Sequence, residues 1–226
     1  MTTRTAILIG ATGLVGGHCL SLLLGDDDYG KVVTIGRRSL PATHAKLVQH
    51  VVDFERLAEY SDLIRGRDVF CCLGTTIRKA GSQEAFRRVD FTYQYELAEI
   101  AARNGAEQLL LVSSIGANPR SRVFYSRVKG ELEAAVCGLP FGSVNIFRPS
   151  LLLGERAESR AGERTAGTLL RYTTLLLAGP LRKYRPIQAR VVAEAMVGEA
   201  KGGRRGVNVF ESDEVTAMVS KQIGGR

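Results

Sequence analysis

The amino-acid sequence predicts an α/β protein in which helices cover both faces of one parallel sheet. Short apolar segments recur along the 226 residues, and stretches with the apolar spacing of amphipathic helices separate them. The apolar segments are nearly continuous runs, which is typical of strands that are buried on both sides. Parallel strands need crossover connections, usually helices, so this alternation favours a doubly wound parallel sheet.

Six strands are predicted, each of them short and apolar. The third is rich in valine, whose branching at Cβ favours an extended chain. The predicted strands are TAILIG (5–10), KVVTIGRR (31–38), LVQHVVD (47–53), DVFCCLG (68–74), QLLLVSS (108–114) and GSVNIFRPS (142–150).

Three helices are predicted between these strands. Residues 14–24 follow the first strand and carry helical apolar spacing. Residues 90–104 form a long helix for which Gly105 is a suitable stop, and residues 125–137 form the helix before the sixth strand. The whole chain, 1–226, is expected to be a single domain.

The segment 151–190 is expected to form most of a small C-terminal lobe on the substrate side. Within it, residues 166–179 predict an apolar helix that ends at the stop signal Gly179–Pro180. The charged residues 154–165 show no core pattern and predict a loop or lid. Packing of the apolar helix on the sheet is favoured, with an apolar substrate or a protein surface as alternatives.

Composition limits the class of protein. Hydrophobic residues make up 45% and charged residues 24% of the chain, as in ordinary soluble domains. No apolar run approaches the roughly 20 residues of a membrane span, and the amino terminus lacks the order of a signal peptide. A cytoplasmic location without membrane contact is therefore expected. The net charge of +8 is scattered, which favours phosphorylated small molecules over nucleic acid as partners.

The segment IGATGLVGGH (9–18) is the first functional candidate. It places glycines between a predicted strand and a predicted helix, the context that a dinucleotide-binding turn requires. Gly10 permits the tight turn, Gly13 lets a pyrophosphate approach the backbone, and Gly16 lets helix and strand pack closely. The free N–H groups of the helix N-terminus would then face phosphate. A purely structural turn is the alternative.

Arg37 and Arg38 end the second predicted strand. An NAD site has an acidic residue about 20 positions after the glycines, where it binds the ribose 2′-hydroxyl. A guanidinium group at that place would instead bind a 2′-phosphate, since its planar fork matches phosphate oxygens. The pair therefore predicts NADP(H) as the cofactor, with a solvated basic pair as the alternative.

A catalytic group is predicted after the fifth strand. Tyr125 and Lys129 are four residues apart on a predicted helix, so they share one face. The ammonium group would favour the phenolate, and the phenol could exchange a proton with a carbonyl or an alcohol. Ser114, with Ser113 as the second choice, would hold the substrate oxygen. The alternative is a surface tyrosine and lysine on an ordinary helix.

The cysteines and histidines do not predict a metal site. No CxxC pair occurs and the three histidines are dispersed, so neither a metal nor a disulfide is expected. Cys71 and Cys72 adjoin the nucleotide edge. Because adjacent strand residues point to opposite faces, at most one of them can face a ligand, and core packing is their expected role.

The glycine turn, the serine pair and the motif YSRVK together resemble an atypical or extended short-chain dehydrogenase/reductase. The stretches FCCLGTT, GERAESR and PIQARVVAEAM extend the similarity across about residues 5–200 and are similar to the Tat-interacting-protein-like oxidoreductase branch. The resemblance implies a Rossmann fold that binds NADP(H).

The resemblance also implies a role for individual positions. Asp53 and Phe54 would approach the adenine, Leu152 would lie near the nicotinamide amide, and Lys129 would also hold the nicotinamide ribose. Together with the motif residues, the expected cofactor contacts are Gly10, Ala11, Thr12, Gly13, Leu14, Val15, Gly16, Arg37, Arg38, Asp53, Phe54, Leu73, Gly74, Thr75, Tyr125, Lys129, Leu152 and Arg160.

Two functional hypotheses follow from these residues. The first is an NADP(H)-dependent oxidoreductase that acts on a carbonyl or alcohol of small molecular size. The second is an NADP(H)-binding regulatory or sensor protein with little or no turnover, because some members of the branch bind regulatory partners. A monomer or a homodimer is expected, with the helices at 90–104 and 125–137 as the pairing faces.

Overall fold

A parallel sheet of seven strands forms the centre of the molecule. The computed structural model describes residues 3–154 and 179–224. The strands are β1 (Arg4–Ile9), β2 (Tyr29–Gly36), β3 (Leu47–Val51), β4 (Asp68–Cys71), β5 (Gln108–Val112), β6 (Ser143–Arg148), β7 (Leu152–Leu153), β8 (Ile187–Gln188) and β9 (Gly206–Glu211). The main sheet has the order β3-β2-β1-β4-β5-β6-β9, while β7 and β8 pair separately. The strand order reverses between β1 and β4, where ligands bind in such sheets.

Helices connect the strands and cover both faces. They are α1 (Leu14–Gly25), α2 (Ile77–Ala80), α3 (Gln83–Arg87), α4 (Tyr93–Arg103), α5 (Phe124–Cys137), α6 (Ala189–Gly202) and α7 (Ser212–Gly224), with 3-10 helices at Phe54–Leu63 and Gly179–Tyr184. A π-helical turn, Arg88–Thr92, joins α3 to α4. No helix in the two described ranges is both long and apolar enough to cross a membrane.

The sheet separates two apolar cores, and β1 contributes to both. Ala6 and Leu8 pack in the core beneath α1 and α6, whereas Ile7 and Ile9 pack in the core beneath α4 and α5. This alternation follows from the period of two residues in a strand. Each face of the sheet is therefore buried, which confirms the predicted doubly wound α/β fold.

The observed elements differ from the predicted ones at their ends, and the 3-10 helix Phe54–Leu63, α2, α3 and the elements beyond residue 188 were not predicted. Strand β2 ends at Gly36, so Arg37 and Arg38 lie just past it. The long predicted helix begins at Tyr93, after the π-helical turn. The sequence analysis assigned no element to β9, α6 or α7. The predicted helix at 166–179, except for its last residue, and most of the predicted loop at 154–165 lie outside the described residues.

A buried polar cluster joins the amino ends of the strands, at the edge opposite the ligand edge. The fully buried Asp68 accepts hydrogen bonds from the Tyr29 hydroxyl (2.8 Å) and from Gln108 Nε2 (2.7 Å), and it pairs with Arg4 Nε at 2.9 Å. Arg4 and Gln108 also donate to the Ala200 carbonyl, which ties α6 to the sheet. Burial and the adjacent Asp68 charge raise the pKa of Tyr29 far above its ordinary value.

Candidate active site

A cavity of about 800 Å³ opens at the carboxyl ends of the strands around the switch point. An adjoining cavity of about 880 Å³ shares the glycine turn and both arginines and extends to Ser82, Arg88 and Tyr93. Of the sequence-predicted residues, the first cavity is lined by Gly10, Ala11, Thr12, Gly13, Leu14, Val15, Arg37, Arg38, Phe54, Leu73, Gly74, Thr75, Ser113, Tyr125, Lys129 and Leu152. One space therefore brings the cofactor candidates and the catalytic candidates together.

Backbone contacts explain the glycines of the turn after β1. Gly10 has a φ of 80°, and a Cβ there would lie 2.5 Å from the Cys72 carbonyl carbon. A Cβ on Gly16, which is buried below the turn, would lie 2.1 Å from the Gly10 oxygen. Side chains at these two positions would therefore collide with the main chain. This close packing of α1 on the sheet brings the N-terminus of α1 to the edge of the cavity.

The N-terminus of α1 can accept an anion. Gly13 is its N-cap and supplies no side-chain hydrogen bond to the first turn, and no acidic residue lies in that turn. The first N–H groups of a helix lack partners within the helix and carry the positive end of its dipole. Thr12 and Gly13 line both cavities beside this end. The turn thus fits the pyrophosphate of a dinucleotide.

Arg37 and Arg38 lie exposed at the mouth of both cavities. Neither guanidinium group forms an ion pair within residues 3–154 and 179–224, whereas nearby Arg88 pairs with Glu55 and Glu84. Among the described residues, two acidic ones line the cavities, Glu84 and Asp90, and each is paired with a cation. The end of β2 thus presents two cations to an anion, and the part of the lining that the structure describes has no carboxylate there for a ribose hydroxyl.

Of the two residues expected to approach the adenine, Phe54 lines the cavity and Asp53 does not. Phe54 lines the cavity and packs on Tyr93 with ring centroids 5.3 Å apart. Asp53 is exposed and does not line either cavity. Its side chain instead caps the following 3-10 helix by accepting from the Glu55 N–H at 3.0 Å. Tyr93, which lines the adjoining cavity and hydrogen-bonds Glu55, was not predicted from the sequence.

The two serines after β5 occupy different environments. Ser113 is buried and lines the cavity, and its Oγ has no hydrogen-bond partner among the described residues. The Ser114 hydroxyl points to the Ile115 carbonyl at 3.4 Å and lies outside the cavity lining. Residues alternate along the strand, so Ser113 shares the face of Leu111, on which α5 packs. The preference for Ser114 is therefore reversed in favour of Ser113.

Tyr125 and Lys129 both face the cavity from the first turns of α5. The Tyr125 ring packs on buried Phe86, with centroids 5.4 Å apart. Lys129 Nζ lies 2.8 Å from Asp90 Oδ1, and these side chains are only 4% and 1% exposed. Burial alone would lower the pKa of Lys129, but the Asp90 charge and hydrogen bond raise it above the ordinary value.

Asp90 is the main site residue that the sequence analysis missed. Its Oδ2 accepts a hydrogen bond from the Thr75 N–H at 2.9 Å, so it contacts the end of β4 as well as Lys129. In the sequence, an acidic residue at the start of a predicted helix looks like an ordinary N-terminal cap. The signal that could have revealed it is its position among apolar residues within a helical pattern.

The remaining candidates are placed as follows. Cys72 lines the cavity and Cys71 is buried on the other face, where its thiol contacts Gln94 at 3.2 Å. Burial raises the pKa of the Cys71 thiol. Arg160 lies outside the described residues. Within the described ranges, histidine, cysteine and acidic side chains form no group of three or more that could hold a metal.

Comparison with known proteins yields one family and several relatives. The sequence profile of the NAD dependent epimerase/dehydratase family matches residues 6–212. Protein HTATIP2 of Rattus norvegicus is 44% identical over 167 residues, which cover 72% of this chain and 69% of that protein. FMP52-1 of Scheffersomyces stipitis is 34% identical over 231 aligned positions, covering 96% and 99%.

Solved structures share the fold at low sequence identity. MoeE5 in complex with UDP-glucose and NAD superimposes with a TM-score of 0.68 at 19% identity, over 97% of this chain and 82% of that one. The Bordetella bronchiseptica enzyme WbmH in complex with NAD+ gives a TM-score of 0.69 at 16% identity, over 93% and 76%. These likenesses support the fold.

The expectation of a cytoplasmic location is wrong. FMP52-1 of Scheffersomyces stipitis is named a mitochondrial protein. FMP52 of Debaryomyces hansenii is also named mitochondrial, and it is 35% identical over 189 residues that cover 77% of this chain and 82% of that protein. The sequence analysis relied on the absence of a signal peptide for secretion, and that absence does not separate the cytoplasm from other compartments inside the cell.

Proposed function

The chain belongs to the NAD dependent epimerase/dehydratase family, and from that premise we propose that it is an NADP(H)-dependent oxidoreductase of carbonyl or alcohol substrates. The family match and the relative HTATIP2 confirm the resemblance to an extended short-chain dehydrogenase/reductase. The observation that carries the proposal is one cavity lined by the glycine turn, by Arg37 and Arg38, which form no ion pair among the described residues, and by Ser113, Tyr125 and Lys129.

The cofactor preference in this proposal rests on the end of β2. Arg37 and Arg38 reach the cavity mouth with no ion-pair partner in the described chain, so a phosphate there would gain charge-assisted hydrogen bonds. The family is named for its dependence on NAD, and the similar solved structure of MoeE5 contains NAD. An NAD site of this fold uses an acidic residue at the end of β2, where this chain has arginines. We therefore propose NADP(H).

The proposed chemistry assigns a task to each catalytic side chain. When bound, the nicotinamide supplies a hydride to the substrate carbonyl carbon, or takes one back from the alcohol. In the reducing direction the Tyr125 hydroxyl gives its proton to the carbonyl oxygen, which becomes the alcohol. The Ser113 Oγ donates a hydrogen bond to that same oxygen, for which its lack of a partner in the described chain leaves it available. The Lys129 ammonium stabilises the phenolate that remains.

The test separates an enzyme from an NADP(H)-binding sensor. Calorimetric titration with NADPH and NADH measures the cofactor preference, and a panel of aldehydes and ketones measures NADPH oxidation. Tyr125→Phe keeps the ring on Phe86 and removes the proton donor. We expect unchanged NADPH affinity and turnover lower by about 10²–10⁴-fold, the usual contribution of general acid–base catalysis.

Two results would contradict the proposal in different ways. If NADPH binds and no carbonyl is reduced by the wild-type protein, the sensor hypothesis is supported instead. If Tyr125→Phe reduces carbonyls as fast as the wild type, the catalytic assignment is wrong, even though the chain would still be an oxidoreductase. Tyr95→Phe is the matched control, because Tyr95 stacks on Phe91 away from the cavity lining.

A further inference from the structure

We propose that Gln49 on β3 is a positioning residue, which fixes the loop that carries Arg37 and Arg38 and thereby sets the preference for NADPH over NADH. Its meaning for the cofactor rests on the proposed function, because Gln49 acts through the two guanidinium groups. Its hold on the loop is a property of the protein without cofactor, so it can be tested separately.

The loop from β2 to β3, residues 37–46, is described throughout and joins two parallel strands without a helix. Parallel strands are usually joined by a helix, in which the main-chain groups bond one another. A loop lacks that regular set of bonds, although its main-chain groups need partners wherever they are removed from water. Leu40 packs against the core beneath α1 and α6, so the loop lies on that face of the sheet. Side chains of β3 on the same face can therefore supply hydrogen bonds to it.

Gln49 supplies these hydrogen bonds with one side-chain amide. It lies on the same face of β3 as Leu47, two residues earlier, which packs against the same core. Gln49 Oε1 accepts from the Leu40 N–H at 2.7 Å, and Gln49 Nε2 donates to the Ala42 carbonyl at 2.9 Å. A longer contact of 3.4 Å joins Nε2 to the Leu40 carbonyl. The acceptor oxygen and the NH2 group of the amide are thus both directed to the loop.

The bonds from Gln49 fix one end of the segment that carries the two arginines. At its other end the carbonyl of Gly36, the last residue of β2, accepts from the Val52 N–H at 2.9 Å. The arginines follow Gly36 directly, and Leu40 comes two residues after them. The main chain on both sides of the pair is therefore tied to β3 and to the residue after it, while both arginines stay exposed.

This fixed main chain connects Gln49 to the choice of cofactor. Arg37, Arg38, Leu40 and Gln49 all line the same cavity. A group that is already held near its bound position loses less conformational freedom when the ligand arrives, which strengthens binding. Without the amide of Gln49, a 2′-phosphate would have to order the loop before the arginines could bind it. NADH carries no 2′-phosphate, so its affinity does not include this cost.

The first test observes the loop in the protein without cofactor. Hydrogen exchange in ¹⁵N-labelled protein measures how often a main-chain N–H is released from its partner. Gln49→Met keeps the length of the side chain and removes its polar atoms. We expect the Leu40 N–H to exchange at least about tenfold faster in this variant. The Val52 N–H, whose partner is the Gly36 carbonyl, should keep its rate. An unchanged rate at Leu40 would overturn the proposal.

The second test compares the affinities for NADPH and NADH by calorimetric titration. We expect Gln49→Met to weaken NADPH binding at least about tenfold and to leave NADH binding within about twofold of the wild type. Gln188→Met is the matched control, because Gln188 is exposed at the end of β8 and lies outside the lining of both cavities. A merely structural role of Gln49 would weaken both cofactors alike, and equal losses would therefore contradict the proposal.

A double-mutant cycle tests whether Gln49 acts through the arginines. In Arg37→Ala/Arg38→Ala, the further change Gln49→Met should cause no additional loss of NADPH affinity, because the groups that it positions are absent. A loss as large as in the wild-type background would overturn the proposal. If the wild type binds NADPH no better than NADH, the proposed cofactor preference fails, while the exchange rate at Leu40 still decides whether Gln49 holds the loop.

The variant Gln49→Asn covers the case in which Gln49→Met does not fold. Asparagine keeps an amide on the same face of β3, but it is one methylene group shorter and cannot reach Leu40 and Ala42 together. We expect weaker NADPH binding and unchanged NADH binding, as for Gln49→Met. An asparagine variant that binds both cofactors as tightly as the wild type does would contradict the positioning role.

Discussion

At the scale of single residues, Arg37 and Arg38 are expected to determine whether the protein prefers NADPH or NADH. In Arg37→Ala/Arg38→Ala the 2′-phosphate of NADPH loses charge-assisted hydrogen bonds, each worth about 1.5–3 kcal/mol. NADPH affinity should therefore fall at least tenfold, while NADH affinity stays nearly constant. Calorimetric titration of both cofactors measures this. Arg65→Ala, at an exposed arginine paired with Asp62, is the control for loss of net charge. Parallel losses for NADPH and NADH would contradict the assignment.

The two serines after β5 give a matched pair of variants. Ser113→Ala should lower turnover about 10²–10³-fold, the effect of removing one donor to a developing oxyanion. It should not lower the free energy of unfolding, because the Ser113 Oγ has no partner among the described residues. Ser114→Ala should change turnover only slightly. Steady-state kinetics and urea unfolding check both variants, and a larger loss of turnover in Ser114→Ala would refute the choice of Ser113.

Single residues also mark where sequence analysis succeeds and where it stops. The positions of Arg37, Arg38, Tyr125 and Lys129 at the cavity could be predicted, because a strand end or a helix turn suffices to place them there. Asp90 could not, because only the packed structure shows that its carboxylate turns inward to Lys129. The choice between Ser113 and Ser114 depended on which face of β5 meets α5.

At the scale of secondary-structure elements, the variant Gly16→Ala tests how closely α1 packs on the turn after β1. In Gly16→Ala the new Cβ would stand 2.1 Å from the Gly10 oxygen, and this contact is with main chain. We expect the free energy of unfolding to fall by at least about 1–3 kcal/mol, as for other overpacked sites. Gly17→Ala is the control, because its Cβ would lie 3.5 Å from the Ala11 oxygen, an ordinary contact. There the better helix propensity should stabilise the protein by about 0.5–1 kcal/mol.

Urea denaturation of the two glycine variants distinguishes them. If Gly16→Ala is as stable as Gly17→Ala, the close approach of α1 to the turn does not constrain this position. Loss of NADPH affinity in Gly16→Ala without loss of stability would also contradict the prediction, because the expected defect lies in the packing of α1 on the sheet.

The strands show which elements a sequence reveals. The six predicted strands contain nearly continuous apolar runs, and helices bury both faces of β4, β5 and β6. Strand β9 lies at the sheet edge, and its Val207 and Val209 are 53% and 39% exposed. Its apolar run is short, is interrupted by Asn208 and lies between charged residues, so a search for continuous apolar runs does not find it. The π-helical turn overlaps the start of the helix predicted at 90–104, so the sequence pattern did not distinguish it from an α-helix.

At the scale of the whole molecule, binding and stability are assigned to opposite edges of the sheet. The carboxyl edge carries the cavity with its open helix N-terminus and its buried Lys129–Asp90 pair. The amino edge carries the buried cluster in which Asp68 binds Tyr29, Gln108 and Arg4. A change at the amino edge should therefore alter stability and leave cofactor binding intact.

Asp68→Asn tests this separation. The substitution leaves the largely buried Arg4 without its counter-charge, and it removes a charged acceptor from Tyr29 and Gln108. Breaking a buried ion pair from one side costs about 3–5 kcal/mol, so we expect the free energy of unfolding to fall by at least about 3 kcal/mol. Asp62→Asn breaks an exposed pair instead and should cost less than about 1 kcal/mol.

At a temperature where both variants are folded, the NADPH dissociation constant should stay within about twofold of the wild type, since Asp68 lies at the far ends of the strands that form the cavity. A stable Asp68→Asn protein, or one that is folded and yet fails to bind NADPH, would show that the two edges of the sheet are not independent.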